Sequence, residues 1–143
     1  MLVRTRVDDV FPKLDVVVDV GGVFDHDQKR YDHHMSTFVE TWTNDETVDI
    51  TKLSSAGLIY KFYGKEVIVN AIKQWGQTLD DKMLDKVYQK IYDKLILEVD
   101  CIDNGINVAP TEHVVYRTHS HLASRVSRLN SSWNSKKEVN QHQ

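Results

Sequence analysis

The sequence predicts an α/β fold in which a mainly parallel sheet is flanked by helices. Three observations carry this. Residues 15–20 contain an unbroken β-branched run, Val16-Val17-Val18 and then Val20, closed by Gly21 and Gly22, which reads as a buried strand of the parallel type. Later segments carry apolar residues at helical spacing. The order runs from strand through loop to helix, with no internal repeat and no low-complexity linker. At 143 residues the chain has one domain's worth of sequence. The expected organisation is a domain over residues 1–130 and a polar, frayed tail over 131–143.

Taken in order, residues 2–7 alternate apolar and polar like a short strand, and Pro12 marks a turn. Residues 24–29 read as polar loop, 30–34 as another short strand, and 40–51 as a polar connection. Ser54 or Ser55 is a helix N-cap, opening a helix through Gly57, Leu58, Ile59, Tyr60 and Phe62. Gly64 interrupts that helix, and a second one follows over 66–75. The clearest helix spans about 80–103, where Leu84, Val87, Ile91, Leu95, Val99 and Ile102 paint one stripe. Asn104-Gly105 stops it. A last helix near 119–129 places Leu122, Val126 and Leu129 on one face, flanked by Arg125 and Arg128.

A composition of 41% hydrophobic and 27% charged residues excludes disordered and membrane-embedded classes. No apolar run approaches the roughly 18 residues of a spanning helix, and the first residues lack the apolar core of a secretory signal. One cysteine, Cys101, excludes an internal disulfide and fits a reducing compartment. The net charge of −3 excludes a wholly basic nucleic-acid binder. Residues 113–137 nevertheless hold Arg117, Arg125, Arg128, Lys136 and Lys137 without one acid. That segment is either a solvated face or a site for phosphates.

Asp19 and the triplet Asp32-His33-His34 are the residues hardest to explain as packing. Asp19 in a buried strand would carry a desolvation penalty that a cation removes; a turn-capping Asp is the alternative. On an extended backbone Asp32 and His34 point one way and His33 the other. Carboxylate and imidazole together suit manganese, magnesium, cobalt or zinc. Asp100 and Asp103 end the long helix, where the macrodipole disfavours acids, and Asp103 continues the buried row. Ser54 and Ser55 open a helix with small residues and could present amides to a phosphate, or simply cap. Arg125 and Arg128 could clamp a phosphate. Together these types describe a phosphate-handling metal site.

Val17-Val18-Asp19-Val20-Gly21-Gly22, Arg30-Tyr31-Asp32-His33-His34 with Phe38, and Thr51-Lys52-Leu53-Ser54-Ser55-Ala56-Gly57 resemble the melanocyte-proliferating-gene family. Glu98-Val99-Asp100-Cys101-Ile102-Asp103-Asn104-Gly105, Ser124-Arg125-Val126-Ser127-Arg128-Leu129-Asn130 and Trp133-Asn134 continue the likeness. The family looks like a branch of the DHH phosphoesterase superfamily, so the resemblance implies a DHH-type catalytic domain with two metals, manganese first. It implies a 3′-to-5′ exonuclease on single-stranded RNA, in nucleus or mitochondrion. Asp19 would bridge the ions, His33 and Asp103 (or Asp100) would ligate, His34 would face the scissile phosphate, and Asp32 would orient the imidazoles or ligate. Family members carry a further strand and loop, Gly-Thr-His-Asn-Gly-x-Phe-His-x-Asp-Glu, ahead of the matched part, and a C-terminal half beyond it. The resemblance thus implies an internal fragment with an incomplete site, low activity alone, and a sheet prone to homo-oligomerisation. Alternatives are a non-catalytic nucleic-acid or partner-binding fragment using residues 117–137, and a small-molecule phosphatase or pyrophosphatase.

Overall fold

The computed structural model describes residues 2–45, 47–107, 109, 122–127 and 129. The chain divides into two compact units, Met1–Asn107 and Val108–Gln143. In the second unit the described helix is α4, Leu122–Ser127. The expected tail over 131–143 lies outside the described residues.

The sheet of the first unit is small and mixed, not mainly parallel. It consists of β1 (Val17–Val18), β2 (Phe24–Asp25) and β3 (Arg30–Tyr31), in the order β1-β3-β2. β1 runs parallel to β3, with Val17 opposite Arg30 and Val18 opposite Tyr31, and β2 runs antiparallel to β3. The strand expected over 15–20 is two residues long, paired among the described residues with β3; Val17 is buried, while Val16 and Val18 are exposed. Residues 2–7 form no strand. β2 lies where a polar loop was expected. Its hairpin is closed by the Gln28 amide donating to Asp25 Oδ1 at 3.0 Å and by Lys29 in a left-handed conformation, φ 55°.

Helix α1, Ser55–Gln74, starts where the N-cap was expected, with the Gly57 amide donating to Ser54 Oγ at 3.0 Å. It passes through Gly64 without a break. A Cβ at Gly64 would come within 2.9 Å of the rings of Tyr60 and Tyr88, so this glycine serves a close helix approach and ends nothing.

The long segment expected over 80–103 is three pieces in one continuous run. α2 is Asp81–Ile91, a π turn covers Tyr92–Ile96, and α3 is Leu97–Asp103. Asp80 caps α2 through the Met83 amide at 2.7 Å, and Gly105 follows α3 at φ 71°. The π turn inserts one residue, which rotates the stripe. Leu95 and Ile102 are exposed, while Tyr92 and Asp100 are buried. The core gathers Tyr31, Phe38, Leu53, Leu58 and Tyr92, with Trp42 stacked flat on Tyr92 at 3.8 Å.

Candidate metal centre

Parallel pairing of β1 and β3 delivers the residues after both strands to the same end of the sheet. Asp19 follows β1 and donates its amide to the Tyr31 carbonyl at 3.0 Å. Its φ of 68° is a left-handed conformation for a non-glycine residue, of the kind stored at functional sites. Its side chain is 62% exposed, so the desolvation penalty expected for a buried Asp19 does not arise. What sets this residue apart is its backbone and its neighbours.

Asp32 is the buried acid, at 3% exposure. Three donors satisfy it: the Gly22 amide at 2.7 Å, the His34 amide at 3.1 Å and His34 Nδ1 at 2.6 Å. Gly22 reaches it because Gly21 and Gly22 both adopt positive φ, 98° and 66°. Burial pushes the Asp32 carboxyl up, but the His34 side chain and the two amides outweigh it and hold it below its ordinary value. The same bond raises the His34 imidazole against the opposing effect of burial, with Asp19 and Asp103 adding to the rise. Asp32 thereby occupies His34 Nδ1 and leaves Nε2 free on a side chain that is 61% exposed.

His33 is held on the other side. Its Nδ1 accepts the Ser55 backbone N–H at 3.1 Å and lies 2.9 Å from Ser55 Oγ. Its other nitrogen, Nε2, faces Asp103 Oδ2 at 3.0 Å. Asp19 Oδ1 lies 3.8 Å from His33 Nδ1. Asp19, His33 and His34 each offer one ligand atom within 4.8 Å of the others. One carboxylate and two imidazoles fit a borderline divalent cation.

Asp100 and Asp103 part company. Asp103 ends α3 on His33. Asp100 is fully buried beneath the start of α1, its Oδ1 accepting the Ser54 amide at 2.8 Å and the Ser54 hydroxyl at 2.6 Å. Burial pushes the Asp100 carboxyl up, against the pull of those two bonds. Gly57 makes this approach feasible, since a Cβ there would overlap the carboxylate. Asp100 thereby anchors the start of α1 through its Oδ1. Ser54 and Ser55, expected at a phosphate, point their donors within the protein: those of Ser54 go to Asp100, and the Ser55 amide goes to His33. Arg125 lies in α4, in the second unit, and Arg128 lies outside the described residues. The contributions missed in the sequence are the Gly22 and Ser55 amides and the clearance at Gly57. A glycine three positions after an N-cap serine is the one sequence sign of that clearance. Among the described residues, no helix is long and apolar enough to cross a membrane.

A family profile described as an uncharacterised protein family (UPF0160), and labelled MYG1 exonuclease, matches residues 1–143. A MYG1 protein of Caenorhabditis elegans is 42% identical over 136 residues, covering 93% of this chain and 38% of that protein. A MYG1 protein of Dictyostelium discoideum is 44% identical over 134 residues, with the same coverage of 93% and 38%. The human protein named MYG1 exonuclease is 39% identical over 135 residues, covering 93% of this chain and 35% of its own length. The chain thus spans well under half the length of these relatives. No solved structure matches it.

Proposed function

The chain belongs to the MYG1 family (UPF0160), and from that premise we propose that its first unit is the metal-holding part of a divalent-metal-dependent phosphodiester hydrolase. The activity proposed is that of a 3′-to-5′ exonuclease on single-stranded RNA, in keeping with the name exonuclease carried by mammalian relatives. The observation that carries it is the approach of Asp19 and Asp103 to His33, at 3.8 Å from Nδ1 and 3.0 Å from Nε2, with the exposed His34 beside Asp19 and His33. A bound divalent ion supplies Lewis acidity and a water of lowered pKa. Asp19, Asp103 and His33 are the groups that would hold it.

His34 has the position and chemistry to meet the substrate. Its ring stands in solvent 4.2 Å from His33, and Asp32 both orients it and raises its proton affinity. In its protonated form it would present positive charge to a phosphate and a proton to the leaving oxygen. Asp32 acts through His34, not on the substrate. The test is manganese-dependent release of mononucleotides from single-stranded RNA by the 143-residue chain. His34→Ala is expected to lower the rate at least about 100-fold, the lower range for a general acid, while leaving manganese affinity within a few fold. Equal rates for the two proteins would refute the role of His34. Hydrolysis of pyrophosphate but not of RNA would turn the reading to a small-molecule phosphatase.

A further inference from the structure

The Asn104-Gly105 pair that stops α3 does more than end a helix. Asn104 donates its side-chain Nδ2 to two carbonyl oxygens, that of Asp100 one turn back at 2.9 Å and that of Lys52 at 3.0 Å. Both partners only accept, so the nitrogen of the amide and not its oxygen faces them. Lys52 stands two residues before Ser54, the N-cap of α1. One amide therefore ties the end of α3 to the segment that leads into α1. We propose that Asn104 is a positioning residue for Asp103, its side-chain amide fixing where the Asp103 carboxylate stands when the site takes a divalent cation. This deepens the metal-site reading and rests on it.

The two elements tied in this way stand on either side of the His33 ring. The start of α1 holds His33 through Ser55, whose amide and hydroxyl lie 3.1 and 2.9 Å from Nδ1. The end of α3 brings Asp103 Oδ2 within 3.0 Å of Nε2. Asp100 joins the two helices from beneath, through Ser54. That buried contact lies one turn short of Asp103, which is half-exposed and is the last residue of α3. Terminal turns fray, and Asn104 adds a second tie one residue beyond Asp103, so the carboxylate is fixed from both sides. Neither carbonyl depends on the Asn104 side chain for a partner. The Asp100 carbonyl also accepts the Asn104 backbone N–H at 3.0 Å, and the Lys52 carbonyl accepts the Thr51 hydroxyl at 3.0 Å. Losing the side chain strands no acceptor, so the tie contributes placement more than stability.

The experiment uses the 143-residue chain, with manganese alone as the probe. In the metal-free parent, NMR is expected to show the two Nδ2 protons of Asn104 exchanging with solvent roughly 10-fold more slowly than those of Asn70, an exposed asparagine of α1. Asn104→Ala is expected to keep its circular dichroism and to bind manganese about 10-fold or more weakly, the cost of removing a partner that orients a ligand. In an Asp103→Ala background the same change is expected to alter affinity by less than about 2-fold, because a residue that acts through Asp103 then has nothing left to place. Parent-like affinity of a folded Asn104→Ala chain overturns the inference. A further loss of about 10-fold in the Asp103→Ala background does so as well, since it marks a general support of the fold. Exchange at Asn104 as fast as at Asn70 overturns it whether or not the alanine variant folds. In these three cases the metal site stands; if the parent binds no manganese, it is the metal reading that fails.

Discussion

The strongest electrostatic unit at the scale of single residues is Asp32 with His34, joined at 2.6 Å. Asp32 is held below its ordinary value in the folded chain and His34 is raised. A lowered carboxylate contributes stability above its unfolded pKa and loses it as the pH falls through the folded value. A raised imidazole contributes below its unfolded pKa and loses it as the pH rises through the folded value. With unfolded values of about 3.9 for Asp and about 6.5 for His, the pair contributes most between those two. In metal-free protein, the difference in melting temperature between the parent and His34→Ala is therefore expected to peak near pH 4–6.5 and to shrink on both sides. A difference that keeps growing above pH 8 would show that the pair does not act this way. The exposure of His34 keeps the effect small. These residues were legible in the sequence because an acid and two imidazoles at a strand end have few packing explanations. The partners that orient them were not, because the amides of Gly22 and Ser55 carry no letter of their own. Asp19 was picked out for a burial that it does not have.

Among the elements, the π turn at Tyr92–Ile96 does the most to shape the site. Hydrophobic spacing made Leu84, Val87, Ile91, Leu95, Val99 and Ile102 one stripe, and the first half of it does face inward. Beyond the turn, the extra residue shifts the inward row to Tyr92, Ile96, Leu97 and Asp100. A one-residue insertion leaves each half with normal helical spacing, so periodicity cannot reveal it. For the same reason the spacing gives no sign that Asp100 is fully buried. Gly64 was misread in the opposite sense: its meaning lies in the rings of Tyr60 and Tyr88, which are distant in sequence from each other. Tyr60 and Tyr88 are tethered by hydroxyl bonds to the Tyr88 and Lys61 carbonyls at 2.9 and 2.7 Å, so they cannot yield to a side chain. Deleting Lys94, an exposed residue of the π turn, tests the idea. The deletion converts the turn to α-helix and rotates α3 by about 100° against α2, carrying Asp100 off Ser54 and Asp103 off His33. Manganese affinity is expected to fall at least about 10-fold with the far-ultraviolet helix signal retained. Unchanged affinity in the deletion variant would mean that the turn does not set the register of the site.

For the whole molecule, the telling fact is how far apart in sequence the site residues arise. Asp19 comes from the turn after β1, His33 and His34 from the turn after β3, and Asp103 from the last turn of α3. The sheet that joins the first two is three strands of two residues, a slender frame to hold them. A cation shared among these segments would therefore bind the folded first unit and not the unfolded chain, and binding becomes folding free energy. At free manganese 100 times its dissociation constant the gain is about 2.7 kcal/mol, a rise of roughly 10 °C in melting temperature for a domain near this size. The donors among the described residues suffice for one ion, so calorimetry is expected to give one manganese per chain. His33→Ala should abolish both the rise and the binding, because it removes the nitrogen that faces Asp103. Two tightly held ions would show that donors beyond Asp19, His33, His34 and Asp103 take part. A melting temperature indifferent to millimolar manganese would leave Asp19, His33 and Asp103 as a polar cluster held together by hydrogen bonds alone, and the hydrolase reading would lose its physical basis.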